Sequence, residues 1–322
     1  MHHRVRIYEQ GSPDVLRYEE TPEVAAGPAP GEVRLRQKAI GLNFVDTMFR
    51  DGTFAVPLPF TPGVEGAGIV DAVGPGVADF IPGDRVAYFY APGAYEEIRD
   101  VPAAALVRLP EDIGTLQAAT LLAKGLTAWM AIRRAHVLQP GEVAYVTGAT
   151  GSVGSLLARW AQRDGATVIA AVSAAGAARA RELGLRHVVV PGDGDLAGHV
   201  RAIAGRGNVD VVYEFVGRAT FAQSAGLLRE GGTLVHVGNA SGAAKVNHDA
   251  LAARRIRYVQ PATPAYVRDA DTLNMATGEL WATLRSGVFG DLEMVRYPLA
   301  DVARAHEDIA QRRLAGLAVL VP

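Results

Sequence analysis

The stretch Glu142 to Gly154, EVAYVTGATGSVG, constrains the fold more than any other, because an apolar, β-branched run collapses into a glycine-rich turn and then opens a helix. Val143, Val146 and Thr147 read as a buried strand bounded by Pro140-Gly141, and Ala149-x-Gly151-x-x-Gly154 fits the GxGxxG/A dinucleotide fingerprint with alanine in first place. Each position has a physical task. A small residue at Ala149 permits the tight turn, Gly151 lets the backbone approach a pyrophosphate, and Gly154 allows close packing of helix on strand. Val153, Leu156, Leu157, Trp160 and Ala161 follow at helical spacing, so the first amides of that helix face the phosphate.

A fingerprint of this kind gains force only inside a βαβ unit, and one is present. Thr167 to Val172 is a second apolar strand, ending at Ser173, where a ribose-reading acid would stand about 20 residues after the fingerprint. No Asp or Glu stands there. Ser173 offers a hydroxyl and Arg179 and Arg181 follow, so the usual partner of the NAD 2′-hydroxyl is missing and NADPH is favoured. Arg179 also reads as a solvated helix residue, and the sequence leaves both readings open. His187 to Val190, Val209 to Tyr213 and Thr233 to Val237 are further short apolar runs separated by helix-length segments, which implies a doubly wound parallel sheet.

Residues 4 to 120 are different in kind. Pro28 to Gly31, Pro57 to Pro62, Gly74 to Gly76, Pro82-Gly83 and Pro92-Gly93 punctuate short β runs, as in an all-β, barrel-like unit. Helical patterning begins near Leu116, Arg257 to Gln260 reads as the last strand of the parallel sheet, and the chain ends in two helices and a strand Ala318 to Val321. With 322 residues, 49% of them hydrophobic, two cores can be buried. The division read from these patterns is 1–121 with 263–322 for the β-rich domain and 122–262 for the parallel-sheet domain, with a cleft between them.

Charge narrows the partners. A net charge of −2 with mixed signs gives no field for nucleic acid or an anionic membrane, and no run reaches the roughly 18 apolar residues of a membrane span. The N-terminal MHHRVRIYEQ has no apolar signal region, so a cytoplasmic protein is expected. The absence of cysteine excludes disulfides and thiolate zinc sites, and the eight histidines are scattered and read as solvent or packing residues. No metal is expected.

Several segments together resemble the zinc-free quinone oxidoreductases of the medium-chain dehydrogenase/reductase superfamily, the group that includes zeta-crystallin. They are Ala39 to Asp46 (AIGLNFVD), Thr61 to Val70 (TPGVEGAGIV), Gly83 to Val86 (GDRV), Ala123 to Thr127 (AKGLT), Val146 to Gly154, Val235 to Gly242 (VHVGNASG) and Tyr297 to Ile309 (YPLADVARAHEDI). The likeness spans nearly the whole chain. It implies a GroES-like, β-rich catalytic domain beside a Rossmann domain, NADPH in the interdomain cleft, a homodimer, and hydride delivery to a quinone. Zinc-dependent relatives carry a Gly-His-Glu ligand motif, and the matching Gly63-Val64-Glu65 has valine for histidine; Glu65 reads as a structural acid.

The resemblance also implies site residues. Asn43, Asp46, Lys124 and Thr127 match the lining of the nicotinamide site, with Asn43, Asp46 and Lys124 as the catalytic set. Asn43 can donate to a carboxamide or carbonyl, and Lys124 can favour negative charge on the acceptor oxygen. Asp46 and Lys124 can equally be a structural ion pair. Gly151, Ser152, Val153 and Gly154 match the pyrophosphate turn, Phe215, Val216 and Gly217 with Val237, Gly238 and Asn239 match the loops after the fourth and fifth strands, and Leu317 matches a C-terminal contact; Ser173 and Arg179 complete the cofactor set. Two departures stand out. Met48 occupies a place where relatives commonly have tyrosine, and a thioether cannot donate a proton. The family's lysine and tyrosine on the adenosine phosphate are lost, Pro191-Gly192 standing near the tyrosine position. The activity expected is metal-independent reduction of quinones by NADPH; the alternatives are reduction of an enone or enoyl double bond, and a non-catalytic, crystallin-like NADPH-binding protein. Arg257 to Gln260, as a sheet edge, favours pairing with a second copy, since Ile256, Tyr258 and Val259 would otherwise leave apolar area in water, unless Arg254, Arg255 and Arg257 guard the edge in a monomer.

Overall fold

Backbone polarity and side-chain alternation sort the chain into two sheets of opposite character. The computed structural model describes residues 1–22, 26–192, 194–205, 207–314 and 316–322. In chain order the strands are β1 (His2–Arg6), β2 (Arg17–Thr21), β3 (Glu32–Gly41), β4 (Glu65–Val73), β5 (Arg85–Phe89), β6 (Ile98–Pro102), β7 (Leu106–Arg108), β8 (Val143–Thr147), β9 (Thr167–Ala171), β10 (His187–Val189), β11 (Val209–Glu214), β12 (Leu228–His236), β13 (Arg257–Val259), β14 (Met294–Pro298) and β15 (Leu317–Val321). Four helices matter for the site: α1 (Phe44–Asp51), α2 (Thr115–Met130), α3 (Gly154–Arg163) and α4 (Ala177–Glu182).

The first unit comprises Met1–Ala123, Asp269–Thr277 and Leu292–Pro322. Its seven-stranded sheet runs β14-β15-β3-β4-β5-β7, with β6 also on β3, and β1 and β2 form a separate ribbon. Pairing is antiparallel from β15 to β7, and only β14 lies parallel to β15. Val5, Ile7, Leu35, Ile40, Tyr88 and Tyr95 fill the core. This is the GroES-like sheet unit that the punctuated β runs lead one to expect.

The second unit, Lys124–Arg268 with Gly278–Asp291, carries six strands in the order β10-β9-β8-β11-β12-β13. Every pair is parallel. Sequence order reverses direction between β8 and β11, the switch point at which open parallel sheets bind ligands. All residues of β8 and β11 are buried, as strands covered on both faces require. The Rossmann architecture anticipated from the βαβ pattern is therefore present.

Two details depart from the sequence reading. Gly278–Asp291, expected with the β-rich domain, clusters with the parallel sheet. Glu279 accepts from Trp129 Nε1 at 2.7 Å and Arg133 Nε at 2.6 Å, and a Cβ on Gly125 would overlap the Leu280 side chain, so close packing and partly buried polar pairs hold the segment there. The edge strand also differs. Ile256, expected to leave apolar area in water, is buried in the unit's own core, and the Tyr258 ring packs on Phe221 and His236. Arg254 and Arg257 turn inward, to the carbonyls of Ala225 and Leu228 and of Ala135; Arg255, outward-facing, pairs with exposed Glu230.

Candidate active site

The first turn of α1 is built by hydrogen bonds between its own residues and two buried acids. Asn43 is the extended residue before the helix, and Asp46, three residues on, accepts from the Asn43 backbone N–H at 2.9 Å, the return limb of a capping box. The Asn43 side chain donates from Nδ2 to Glu65 Oε1 at 2.8 Å, and the other carboxylate oxygen accepts the Ala123 N–H at 2.7 Å. A carboxylate accepts only, so Glu65 fixes which end of the Asn43 amide faces it. One Asn43 donor is thereby committed, and the orientation of the amide is fixed.

Glu65 and Asp46 are both fully buried. The space for Glu65 exists because position 41 is glycine: a Cβ there would overlap both the Glu65 carboxylate and the Ala119 carbonyl. Of the expected catalytic set, Asn43 and Asp46 therefore meet in the first unit, joined by Glu65. Lys124 follows Ala123 on α2 and is the first residue of the second unit, where it is buried. Thr127, one turn further along α2, shares a hydrogen bond with Thr263 at 3.0 Å.

The glycine turn after β8 has the expected shape with one change of residue. The left-handed position is Gly148, with φ +60°, so Gly148 rather than Ala149 makes the tight turn. Gly154 fits against it so closely that a Cβ would overlap the Gly148 carbonyl. Gly151 N–H bonds back to Gly148, and Ser155 N–H to Gly151, so Ser152 and Val153 lead directly into α3 at Gly154, where helix amides point outward. The cradle has the shape and donors for a pyrophosphate.

Ser173 follows β9 by two residues and accepts from Gly176 N–H at 3.3 Å, and Arg179 on α4 pairs with Glu182 at 3.3 Å. Arg159, on α3, belongs to no motif legible in the sequence. Burial, with Arg179 close by as a second positive charge, lowers its guanidinium to about 10.

Phe215, Val216 and Gly217 form the loop after β11, and a buried acid that sequence reasoning overlooked holds it. Glu214 accepts from Thr147 Oγ1 at 2.8 Å, Val216 N–H at 2.8 Å, Gly217 N–H at 3.0 Å, Thr220 Oγ1 at 2.7 Å and Ser224 Oγ. An acid at the carboxyl end of the apolar run VDVVYE was the available clue. The neighbouring loop is tied to the same point: Val237 and Gly238 donate to the Glu214 carbonyl, and Asn239 Oδ1 meets His236 Nε2 at 3.0 Å. Leu317 belongs to the first unit, buried at the start of β15 opposite Met294.

Of the histidines read as solvent or packing residues, His2, His236 and His306 are buried in the fold. His306 is wholly buried, with Nε2 2.9 Å from the Tyr95 hydroxyl and Nδ1 3.5 Å from the Arg50 guanidinium, and Tyr95 lies 3.0 Å from Asp46 Oδ2. Burial and the Arg50 charge push the imidazole down to about 3, so it is neutral. Among the described residues no group of three His, Asp or Glu is placed to hold a metal ion. Nor is any helix long and apolar enough to cross a membrane.

A GroES-like sheet unit and a six-stranded parallel unit with a glycine cradle define the medium-chain dehydrogenase/reductase class. Residues 29–111 match the family described as alcohol dehydrogenase GroES-like domain, and residues 152–272 match that described as zinc-binding dehydrogenase. Quinone oxidoreductase 1 of Escherichia coli (strain K12) is 37% identical, over 99% of each chain. A 2-haloacrylate reductase of a Burkholderia species is 35% identical, over 98% of each. Among solved structures, Escherichia coli quinone oxidoreductase complexed with NADPH superposes with a TM-score of 0.93 at 35% identity, covering 99% of this chain and 100% of that one. The chain belongs to the quinone oxidoreductase family of this superfamily.

Proposed function

We propose that the protein is an NADPH-dependent quinone reductase that works without a metal. The observation that carries this reading is end-to-end similarity to quinone oxidoreductases, one of them solved with NADPH. Gly151, Ser152, Val153 and Gly154 would hold the pyrophosphate, Ser173 and Arg179 the adenosine ribose and its phosphate. Phe215 to Gly217, Val237 to Asn239 and Leu317 would line the rest, with Asn43, Lys124 and Thr127 at the nicotinamide. NADPH, when bound, supplies the hydride.

The protein's own contribution is position and charge. Asn43, fixed by Glu65, orients a carboxamide or an acceptor carbonyl, and Lys124 favours negative charge on the acceptor oxygen. Holding both reactants in register can supply on the order of 7–11 kcal/mol of the barrier. Met48 carries no transferable proton, and a reduced quinone takes its protons from solvent, so the reaction tolerates the missing tyrosine. Steady-state oxidation of NADPH by a panel of small quinones in metal-free buffer tests the reading; silence toward all of them overturns it.

Similarity to the haloacrylate reductase favours one second reading, reduction of a conjugated double bond. That chemistry needs a proton after hydride addition, which Met48 does not provide. Turnover of a quinone against a small enone, measured on one preparation, separates the two. Tight NADPH binding without turnover on either would leave a non-catalytic binding protein. In assembly, we propose a homodimer joined edge to edge at β13, which has a strand on one side only within its sheet.

A further inference from the structure

Four buried side chains from three separate segments form a continuous chain in the first unit. Arg50 and Asp46 lie one turn apart on α1, Tyr95 follows β5, and His306 lies on the helix Val302–Ala310. All four are buried, Tyr95, Asp46 and His306 completely. The contacts run Arg50 Nη1 to His306 Nδ1 (3.5 Å), His306 Nε2 to Tyr95 Oη (2.9 Å) and Tyr95 Oη to Asp46 Oδ2 (3.0 Å). That same Asp46 oxygen receives the Asn43 N–H. Arg50 is anchored at its other end, donating from Nε to the Gly11 carbonyl at 3.0 Å.

Donor and acceptor capacity fixes the direction of every link. A guanidinium only donates, so the imidazole nitrogen facing Arg50 must present its lone pair. A neutral imidazole with Nδ1 accepting carries its proton on Nε2, which then donates to the Tyr95 oxygen. The tyrosine hydroxyl is left with one proton and one acceptor, Asp46. Burial, reinforced by Asp46, pushes the Tyr95 phenol well above its ordinary range, so that proton stays on the tyrosine. The dipoles all point from the guanidinium to the carboxylate, and bonds aligned this way strengthen one another.

We propose that Tyr95 and His306 are positioning residues: with Arg50 they form a one-way hydrogen-bond relay that sets the Asp46 carboxylate, and through it the Asn43 turn, in the working orientation. The relay carries the influence of a buried positive charge to a buried negative one without protonating the imidazole between them. It rests on the reading of Asn43 and Asp46 as site residues, and it acts through them without touching substrate or cofactor.

Replacement of His306 by glutamine or asparagine separates this role from mere packing. Glutamine places an N–H near the Nε2 position and keeps the donor to Tyr95; asparagine reaches only the Nδ1 position and loses it. His306→Asn and Tyr95→Phe are expected to lower kcat/KM on the order of tenfold, His306→Gln to stay within threefold of wild type, and all three to bind NADPH with unchanged affinity. Equal activity of the two His306 variants overturns the proposal. A second measurement is independent of any acceptor: long-range proton–nitrogen correlation spectra of the imidazole-labelled protein between pH 5 and 8 should show His306 protonated on Nε2 only. A proton on Nδ1, or an imidazolium in that range, overturns it. Should the wild type oxidise NADPH with no quinone, the functional reading falls, while the nitrogen spectrum still decides the relay.

Discussion

Gly154 and Gly41 do the same job in different units, since each leaves room where a methyl group would collide with a carbonyl oxygen. Overpacking against backbone cannot be relieved by a rotamer change and costs about 1–3 kcal/mol or more. Gly154→Ala should therefore push α3 off the Gly148 turn and weaken NADPH binding by tenfold or more, read by fluorescence titration; unchanged affinity would mean that the cradle is not the pyrophosphate site. His306 gives a residue-scale prediction in pH. Its folded value of about 3 lies below the ordinary 6.5, so on acidification the unfolded chain takes up a proton that the folded chain refuses. Stability is lost as pH falls from about 6.5 toward 3, by up to about 1.4 kcal/mol per unit. Urea midpoints at pH 5.0 and 7.0 should differ less in His306→Gln than in wild type, by one proton's slope. Gly154 was legible in the sequence because its spacing belongs to a local motif. The value of His306 was not, because its partners Arg50 and Tyr95 are more than 200 residues away along the chain.

At the level of elements, the loop after β11 is held by a single carboxylate. Removing Glu214 leaves two backbone amides and three hydroxyls facing a void. Losing one partner of a buried polar network costs about 3–5 kcal/mol, so Glu214→Ala should lower the melting temperature by roughly 10 °C in a calorimetric scan. A melting temperature within 2 °C of wild type, on the scale of that shift, would mean that the loops are organised by their backbone alone. The strands themselves were easy to read, since β8 is apolar up to Thr147 and β11 is apolar apart from Asp210 and its terminal Glu214. The acid that ends β11 was harder to interpret, because a lone glutamate after a strand has no pattern until the loops fold over it.

For the whole molecule, the Rossmann order of the parallel sheet and the antiparallel GroES-like sheet were both legible from periodicity and punctuation. The placement of Gly278–Asp291 was not, because it depends on packing of Leu280 against Gly125, which no local pattern announces. The assembly prediction now rests on the edge of β13 rather than on Ile256, which its own unit already covers. Sedimentation at micromolar concentration should give about twice the 34.0 kDa of one chain; a mass near 34.0 kDa at every concentration would leave β13 an exposed edge. One contrast within the second unit has a practical meaning. The turn from Ser173 to Arg179 is held by short-range bonds, Ser173 to Gly176 and Arg179 to Glu182, whereas the Glu214 loops are welded to their neighbours. A protein engineer could rewrite the first like an interchangeable adaptor, installing an acid at Ser173 to recruit NADH, and should leave the second alone as chassis.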